Sequence, residues 1–193
     1  KHRKYRRELK RAELDDILPK IYDKKLSYMR RNTLRLKLFL EHETPVVLPY
    51  TQIHGLRTIV EFPDIYAPGE MDEIKKTHYV HEKGKVTNLT WDVYTVLSEG
   101  LEGRRRRLES GKKQDEEFVD CVRETIDFTE EFADRYAAAL KEAGQEEHGE
   151  MISRIIRDGA KTMLEALQLF RLLHFTLWAS WCYHNTVGRF DQW

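Results

Sequence analysis

The chain has 193 residues, of which 40% are hydrophobic and 34% are charged, and 33 Lys and Arg balance 33 Asp and Glu. This composition is typical of a globular domain with a real core, and zero net charge argues against a protein dedicated as a whole to nucleic-acid binding. Cys121 and Cys182 do not form a CxxC pair, so the sequence indicates neither a disulfide framework nor a zinc site. We therefore expect a cytoplasmic protein.

The first 41 residues are basic and carry apolar positions at helical spacing. Residues 1–40 contain fourteen Lys or Arg and five Asp or Glu, a local excess of nine positive charges. Apolar residues recur every three or four positions, and Pro19 interrupts the pattern. We predict two helices divided at Pro19.

Between Glu43 and Gly69 the pattern changes to short β-branched runs broken by prolines. The runs PVVLPY and RTIVEFP lie on either side of Gly55. Such runs are typical of extended segments and turns. We therefore expect a few short strands here, in a chain that is otherwise mainly α-helical.

Two histidines, His78 and His81, form an HxxH pair in the next region. A structural or catalytic zinc site needs at least a third protein ligand, and none occurs at a suitable spacing. We therefore predict no metal site.

Residues 101–150 have the pattern of charged amphipathic helices. An apolar stripe over residues 116–142 defines one of them, and Cys121 beside the stripe is expected to pack in the core. The basic N-terminus raises the alternative of a nucleic-acid-binding helical protein. The run from Arg104 to Arg107 also suggests nucleic-acid binding, because clustered arginines neutralise phosphates. No aromatic residues interleave this run, so a solvated helix face is the favoured interpretation.

The most apolar element is predicted from Thr162 to about Trp181, after a stretch that Gly144 and Gly149 are expected to loosen. Thr162 and Glu165 have the spacing of a capping box, which marks the start of a helix. Apolar side chains cover nearly the whole circumference, so we expect burial on most sides. Polar residues interrupt the apolar surface and favour a core helix over a membrane span: Glu165, Gln168, Arg171 and His174.

The C-terminal sequence EALQLFRLLHF, followed by YHNTVGRFDQ, resembles the signature of the glycyl radical enzymes of the pyruvate formate-lyase family. GLRTIVEFPD and WDVYTVLSEGLEG resemble two further stretches of that family, so the resemblance covers about residues 30–192. It implies that residues 1–193 form the N-terminal portion of one pyruvate formate-lyase domain, without a separate second domain. The chain would be the helical N-terminal part of a ten-stranded α/β barrel.

The resemblance also implies an activity. The family cleaves C–C or C–heteroatom bonds of small polar substrates by radical chemistry, so we expect an anaerobic lyase or dehydratase. The family's Gly-Cys-x-Glu loop and terminal Arg-Val-x-Gly motif do not occur in this sequence. We therefore expect no catalytic residue, no bound cofactor and no activity in this chain alone. The glycyl radical would lie on a C-terminal part, a radical-SAM activating enzyme would install it, and the enzyme would be a homodimer.

The resemblance places substrate contacts at particular positions. Tyr183, His184 and Asp191 match substrate-contacting positions of the family, and Arg189 matches a structural loop anchor. Asn88 lies where the family carries a histidine, and its amide can bind substrate but cannot transfer a proton. For each of these residues the alternative is a structural hydrogen bond. For the whole chain, another alternative is a helical interaction module that docks on a partner subunit carrying the radical chemistry.

Overall fold

The computed structural model describes residues 2–59, 63–77, 91–111 and 115–179, except for the side chains of residues 2, 3 and 177–179. The elements in this part of the chain are helical, as the sequence predicts. After a 3₁₀ helix at His2–Tyr5 they are α1 (Arg11–Leu14), α2 (Leu18–Ile21), α3 (Tyr28–His42), α4 (Glu70–Lys76), α5 (Val93–Ser110), α6 (Glu116–Glu142), α7 (Glu146–Asp158) and α8 (Met163–Ala179).

The centre of the fold is a helical hairpin of α6 and α7. Asp115 caps α6 by accepting a hydrogen bond from the Phe118 amide at 3.0 Å. Gly144 takes a φ of +77° in the tight turn between the two helices. Gly149 lies inside α7, where a Cβ would be 2.7 Å from the Ala137 carbonyl oxygen of α6. The expectation that Gly149 loosens the chain is therefore wrong, because this glycine permits close packing of the hairpin.

Aromatic side chains join α3, α6 and α8 in the core. Phe132 of α6 stacks on Phe175 of α8 with ring centroids 5.1 Å apart. Phe175 also contacts Phe39 of α3, at 5.5 Å between centroids. All three rings are buried, and each removes a large apolar area from water. This aromatic cluster fixes α8 against α3 and α6.

The N-terminal region forms shorter helices than the sequence pattern predicts. Pro19 lies in the first turn of α2, where its missing N–H costs no helical hydrogen bond. Pro19 therefore lies at the start of a short helix, and the prediction that it divides two helices is wrong. Ser27 caps α3 by accepting a hydrogen bond from the Arg30 amide at 3.0 Å.

The segment that links α3 to α4, residues 43–69, is irregular with several turns, and no strand forms in its described part. One isolated parallel bridge joins Arg7 to Ile59. Backbone N–H and C=O groups of a buried segment need partners, and side chains supply several of them here. The buried carboxylate of Glu43, for example, accepts a hydrogen bond from the Thr58 amide at 2.8 Å. The mainly α prediction is confirmed, whereas the short strands expected in this linking segment are not found among its described residues.

Candidate functional site

The helix α8 begins with the predicted capping box. The Thr162 hydroxyl accepts a hydrogen bond from the Glu165 amide at 3.3 Å, and the Glu165 carboxylate accepts one from the Thr162 amide at 3.2 Å. Two amides at the helix start are thereby satisfied. Glu165 also forms an ion pair with Arg154 of α7. The start of α8 is therefore held by local hydrogen bonds and by a tertiary contact.

The expected burial of α8 on most sides is confirmed from Gln168 to Thr176, where every side chain is buried or half-buried, but not at the start of the helix. Ala166, Leu169 and Leu172 are at most 1% exposed, whereas Met163 is 57% and Leu167 43% exposed. The buried residues pack into the main core with α3 and α6. At the start of α8, apolar character therefore does not mean burial.

The buried face of α8 holds the linking segment through two polar side chains. Gln168 is fully buried, and its side-chain amide accepts a hydrogen bond from the His54 N–H at 2.7 Å and donates one to the His54 carbonyl at 3.0 Å. Arg171 donates to the Gly55 carbonyl at 2.7 Å. Gly55 has a φ of +122°, and a Cβ there would come within 3.2 Å of the Arg171 side chain. These contacts fix the linking segment against the middle of α8.

A cavity of about 180 Å³ lies beside this contact and is lined by Arg57, Arg171, His174 and Phe175. Two guanidinium groups give the cavity positive charge and hydrogen-bond donors. Burial, together with the positive charge of Arg171, lowers the pKa of His174. The imidazole is therefore neutral near pH 7 and can donate one hydrogen bond and accept another. This set of side chains can hold the oxygen atoms of a small polar or anionic molecule.

The described residues contain no group of three or more His, Cys, Asp or Glu side chains that could hold a metal ion. Within the same ranges, no helix combines the length and the apolar character needed to cross a membrane. Neither finding extends to residues 78–90, where the HxxH pair lies, or to residues 180–193.

Carboxylate side chains form ion pairs with the arginine run of α5. Arg105 contacts Asp127 at 2.8 Å and Glu130 at 3.1 Å, both on α6. Arg107 contacts Glu99 within α5 at 2.6 Å. These ion pairs offset the charge on which phosphate binding would depend, and they favour the interpretation of this run as a structural helix face.

A model of the family described as pyruvate formate lyase-like matches residues 6–193, which is nearly the whole chain. The chain belongs to this family. The resemblance seen in the EALQ and GRFDQ sequences is thereby confirmed, and the family is one of glycyl radical enzymes.

The pyruvate formate lyase-like chain is also similar in fold to a solved structure, the glycerol-bound form of the B12-independent glycerol dehydratase from Clostridium butyricum. The TM-score is 0.61 at 18% sequence identity, and the match covers 93% of this chain and 33% of the dehydratase. The chain therefore spans about a third of the length of that enzyme, and at this identity the likeness shows the fold alone. No curated protein matches the chain.

Five residues of this pyruvate formate lyase-like chain were predicted from the resemblance to belong to the substrate site. All five lie outside the residues that the structure describes. Their roles stay predictions. His78, His81 and Cys182 lie outside as well, whereas Cys121 is described and is 3% exposed in the packed face of α6. The five site residues are Asn88, Tyr183, His184, Arg189 and Asp191.

None of the residues that line the Arg57 cavity received a site role from the sequence. The sequence could have indicated Arg171 and His174 as site residues, because these two polar residues lie three positions apart on one face of an apolar helix. Arg57 carries no such signal, because its position beside α8 depends on the path of the linking segment. Sequence reasoning could therefore have found the helical half of this cavity but not the other half.

Proposed function

We propose that this chain is part of a glycyl radical lyase or dehydratase that cleaves a C–C or C–heteroatom bond of a small polar substrate. The observation that carries the proposal is the family match over residues 6–193. The fold likeness to a dehydratase whose solved form holds glycerol supports it, since glycerol is a small polar molecule. In this proposal the chain supplies scaffold and part of the substrate pocket.

The proposed substrate contacts come from Asn88, Tyr183, His184 and Asp191, with Arg189 anchoring the loop. An amide, a phenol, an imidazole and a carboxylate can together hold hydroxyl or ammonium groups of a substrate. Radical chemistry needs a substrate held in one orientation with water excluded. In the sequence, four of these residues follow α8 directly, and the C-terminal half of α8 lines the positively charged cavity described above.

The groups that would carry the radical have no counterpart in these 193 residues, because Gly-Cys-x-Glu and Arg-Val-x-Gly are absent from the printed sequence. We therefore assign no radical step to any residue of this chain. A glycyl radical elsewhere in the protein, installed by a radical-SAM activating enzyme, would supply hydrogen-atom abstraction. We also propose that the complete enzyme is a cytoplasmic homodimer that works under anaerobic conditions.

Electron paramagnetic resonance tests this proposal directly. The complete gene product, treated anaerobically with a radical-SAM activating enzyme, S-adenosylmethionine and a reductant, should show the doublet of a glycyl radical. Residues 1–193 alone should show no doublet and no turnover. A doublet from residues 1–193 alone would contradict the assignment of the radical to another part of the protein.

One observation favours a second candidate, the helical interaction module. Met163 and Leu167 present exposed apolar side chains on α8, and neighbouring exposed apolar residues are typical of a docking surface. In that case the radical would form only when a separate partner subunit is added to the complete gene product. The same resonance experiment, run with and without the partner, therefore separates the two candidates.

Asp191→Asn in the active enzyme is expected to lower kcat/KM about thirty- to a thousandfold, which corresponds to roughly 2–4 kcal/mol of transition-state stabilisation. The physical reason is the loss of a charge-assisted hydrogen bond to a substrate hydroxyl or cationic group. Tyr183→Phe, which removes one hydroxyl, should cost only about 1–2 kcal/mol. Steady-state kinetics measures both.

Asp120→Asn is the matched control for Asp191→Asn, since Asp120 lies on the exposed face of α6 and forms an exposed ion pair with Arg123. It should leave kcat/KM unchanged. The competing interpretation is that Asp191 pairs with Arg189 and only fixes the loop. A lowered melting temperature with unchanged activity per folded molecule of Asp191→Asn would establish that interpretation and exclude the substrate contact.

A further inference from the structure

The His54 imidazole is a buried titratable group that makes no hydrogen bond. The residue is 3% exposed, and neither ring nitrogen has a partner among the described residues. Gln168 of α8 bonds both the N–H and the C=O of the His54 backbone, so the ring is carried by a backbone that is fixed in the core. A buried neutral imidazole costs some free energy, but a buried imidazolium without a counter-charge costs far more. This position therefore favours His54 in its neutral form.

The neighbouring charged and titratable groups strengthen that preference. From α7, the ring of His148 lies 5.5 Å from the His54 ring between centroids, near the positive N-terminal end of the helix. From α8, Arg171 lines the same small cavity as His54 and donates to the Gly55 carbonyl. The linking segment contributes mainly aliphatic side chains to this cavity. A positive charge on His54 would therefore lie beside a guanidinium and a second imidazole, without a hydrogen bond from the described residues to stabilise it.

Acidic side chains line the open groove beside His148. Glu146 and Glu147 begin α7 and are exposed, and both face this groove together with His148. Glu146 pairs with Lys141 at 3.3 Å. The Nδ1 atom of His148 lies 3.1 Å from the side-chain oxygen of Gln145. Because water and salt screen exposed charges, these carboxylates compensate a charge on the buried His54 ring poorly.

Opening of the segment around His54 is linked to proton uptake. Burial and, second, the nearby His148 lower the pKa of His54 in the folded protein. When the segment leaves the core, the imidazole regains its ordinary pKa of about 6.5. The open form therefore binds a proton that the closed form does not bind. The closed form keeps its full stability above about pH 6.5 and loses stability as the pH falls below that value.

We propose that His54 makes the docking of residues 51–57 on α7 and α8 sensitive to acid. In the closed form the ring is neutral and buried next to His148. As the pH falls, a ring nitrogen takes up one proton from water, and the segment leaves the two helices because the imidazolium is stable only in contact with water. Arg57 belongs to this segment, so the release also opens the Arg57 cavity on α8. No step of the proposal depends on the proposed radical chemistry.

Hydrogen–deuterium exchange followed by mass spectrometry tests the release in the complete gene product. The exchange of residues 51–57 is measured at several pH values and corrected for the intrinsic exchange rate at each pH. The equilibrium constant for opening should rise about tenfold for each unit of pH below about 6, because each opening takes up one proton. The His54 amide, which donates to Gln168, reports directly on the opening. Peptides from α6 are the internal control and should show no such rise.

His54→Phe keeps a buried aromatic ring but cannot take up a proton. The opening of residues 51–57 should therefore become independent of pH. Since the ring nitrogens have no partner among the described residues, this variant should keep or raise the melting temperature. His42→Phe, which removes an imidazole on α3, is the matched control and should keep the rise of about tenfold for each unit of pH.

The unchanged protein decides the proposal even if His54→Phe does not fold, because opening that is independent of pH would overturn it. A rise that persists in His54→Phe would also overturn it, since the proton would then bind elsewhere. If His148→Phe removed the rise and His54→Phe did not, His148 would be the group that takes up the proton. The same rise in the α6 peptides would show unfolding of the whole domain and would exclude release of one segment.

Discussion

Gly100→Ala should destabilise the protein by about 4 kcal/mol. Gly100 interrupts α5 with φ 63° and ψ −164°, a conformation that essentially only glycine adopts. A Cβ at this position would lie 2.1 Å from the Arg157 carbonyl oxygen of α7. Backbone strain costs roughly 1–3 kcal/mol, and overpacking against a neighbouring backbone costs roughly 1–3 kcal/mol more. Denaturant unfolding followed by circular dichroism measures the free energy of unfolding.

Gly144→Ala is the matched control for this substitution. Gly144 also has a positive φ, +77°, but no atom lies within 4 Å of the position its Cβ would take. Its loss should be limited to backbone strain of about 1 kcal/mol. If both variants lost a similar free energy of unfolding, close packing of α5 on the end of α7 would not explain why residue 100 is a glycine. Unchanged stability of Gly100→Ala would contradict that packing altogether.

Arg31→Met is expected to lower the free energy of unfolding by about 3–5 kcal/mol, because removing one partner leaves a buried charge uncompensated. Arg31 is 1% exposed and donates to Glu70 of α4 at 2.7 Å. It also donates to the carbonyl oxygens of Ile21, at 2.5 Å, and Ile65. The guanidinium therefore ties α2 and the linking segment to α3, as well as pairing with α4. Denaturant unfolding measures this change in the free energy of unfolding.

Two further variants make the Arg31 experiment specific. Lys24→Met breaks the exposed ion pair with Glu73 and should cost less than about 1 kcal/mol. The double variant Arg31→Met with Glu70→Gln removes the unpaired charge and should recover part of the loss. A loss below about 1 kcal/mol for Arg31→Met would contradict a structural role for the buried pair. A double variant as unstable as the single one would show that the unpaired Glu70 charge is not the cause.

The sequence by itself determined the helices that carry the fold. The apolar stripe over residues 116–142 predicted α6, and the spacing of Thr162 and Glu165 predicted the start of α8. The EALQ and GRFDQ sequences indicate the family without any knowledge of the fold. These signals are readable because they are local, and they involve residues three or four apart on one helix or a contiguous motif.

Only the tertiary structure decided the path of the linking segment and the side chains gathered beside it. Its β-branched runs favour strands, yet backbone groups of Leu56 and His54 bond to Tyr136 and Gln168, which lie 80 and 114 residues further along the chain. Arg57 is also more than a hundred residues away in sequence from the residues of α8 that line its cavity. A periodic pattern records which side of a helix is apolar, but it does not record which distant element packs there. That choice is made by close packing of the whole core, so the Arg57 cavity could be found only from the tertiary structure.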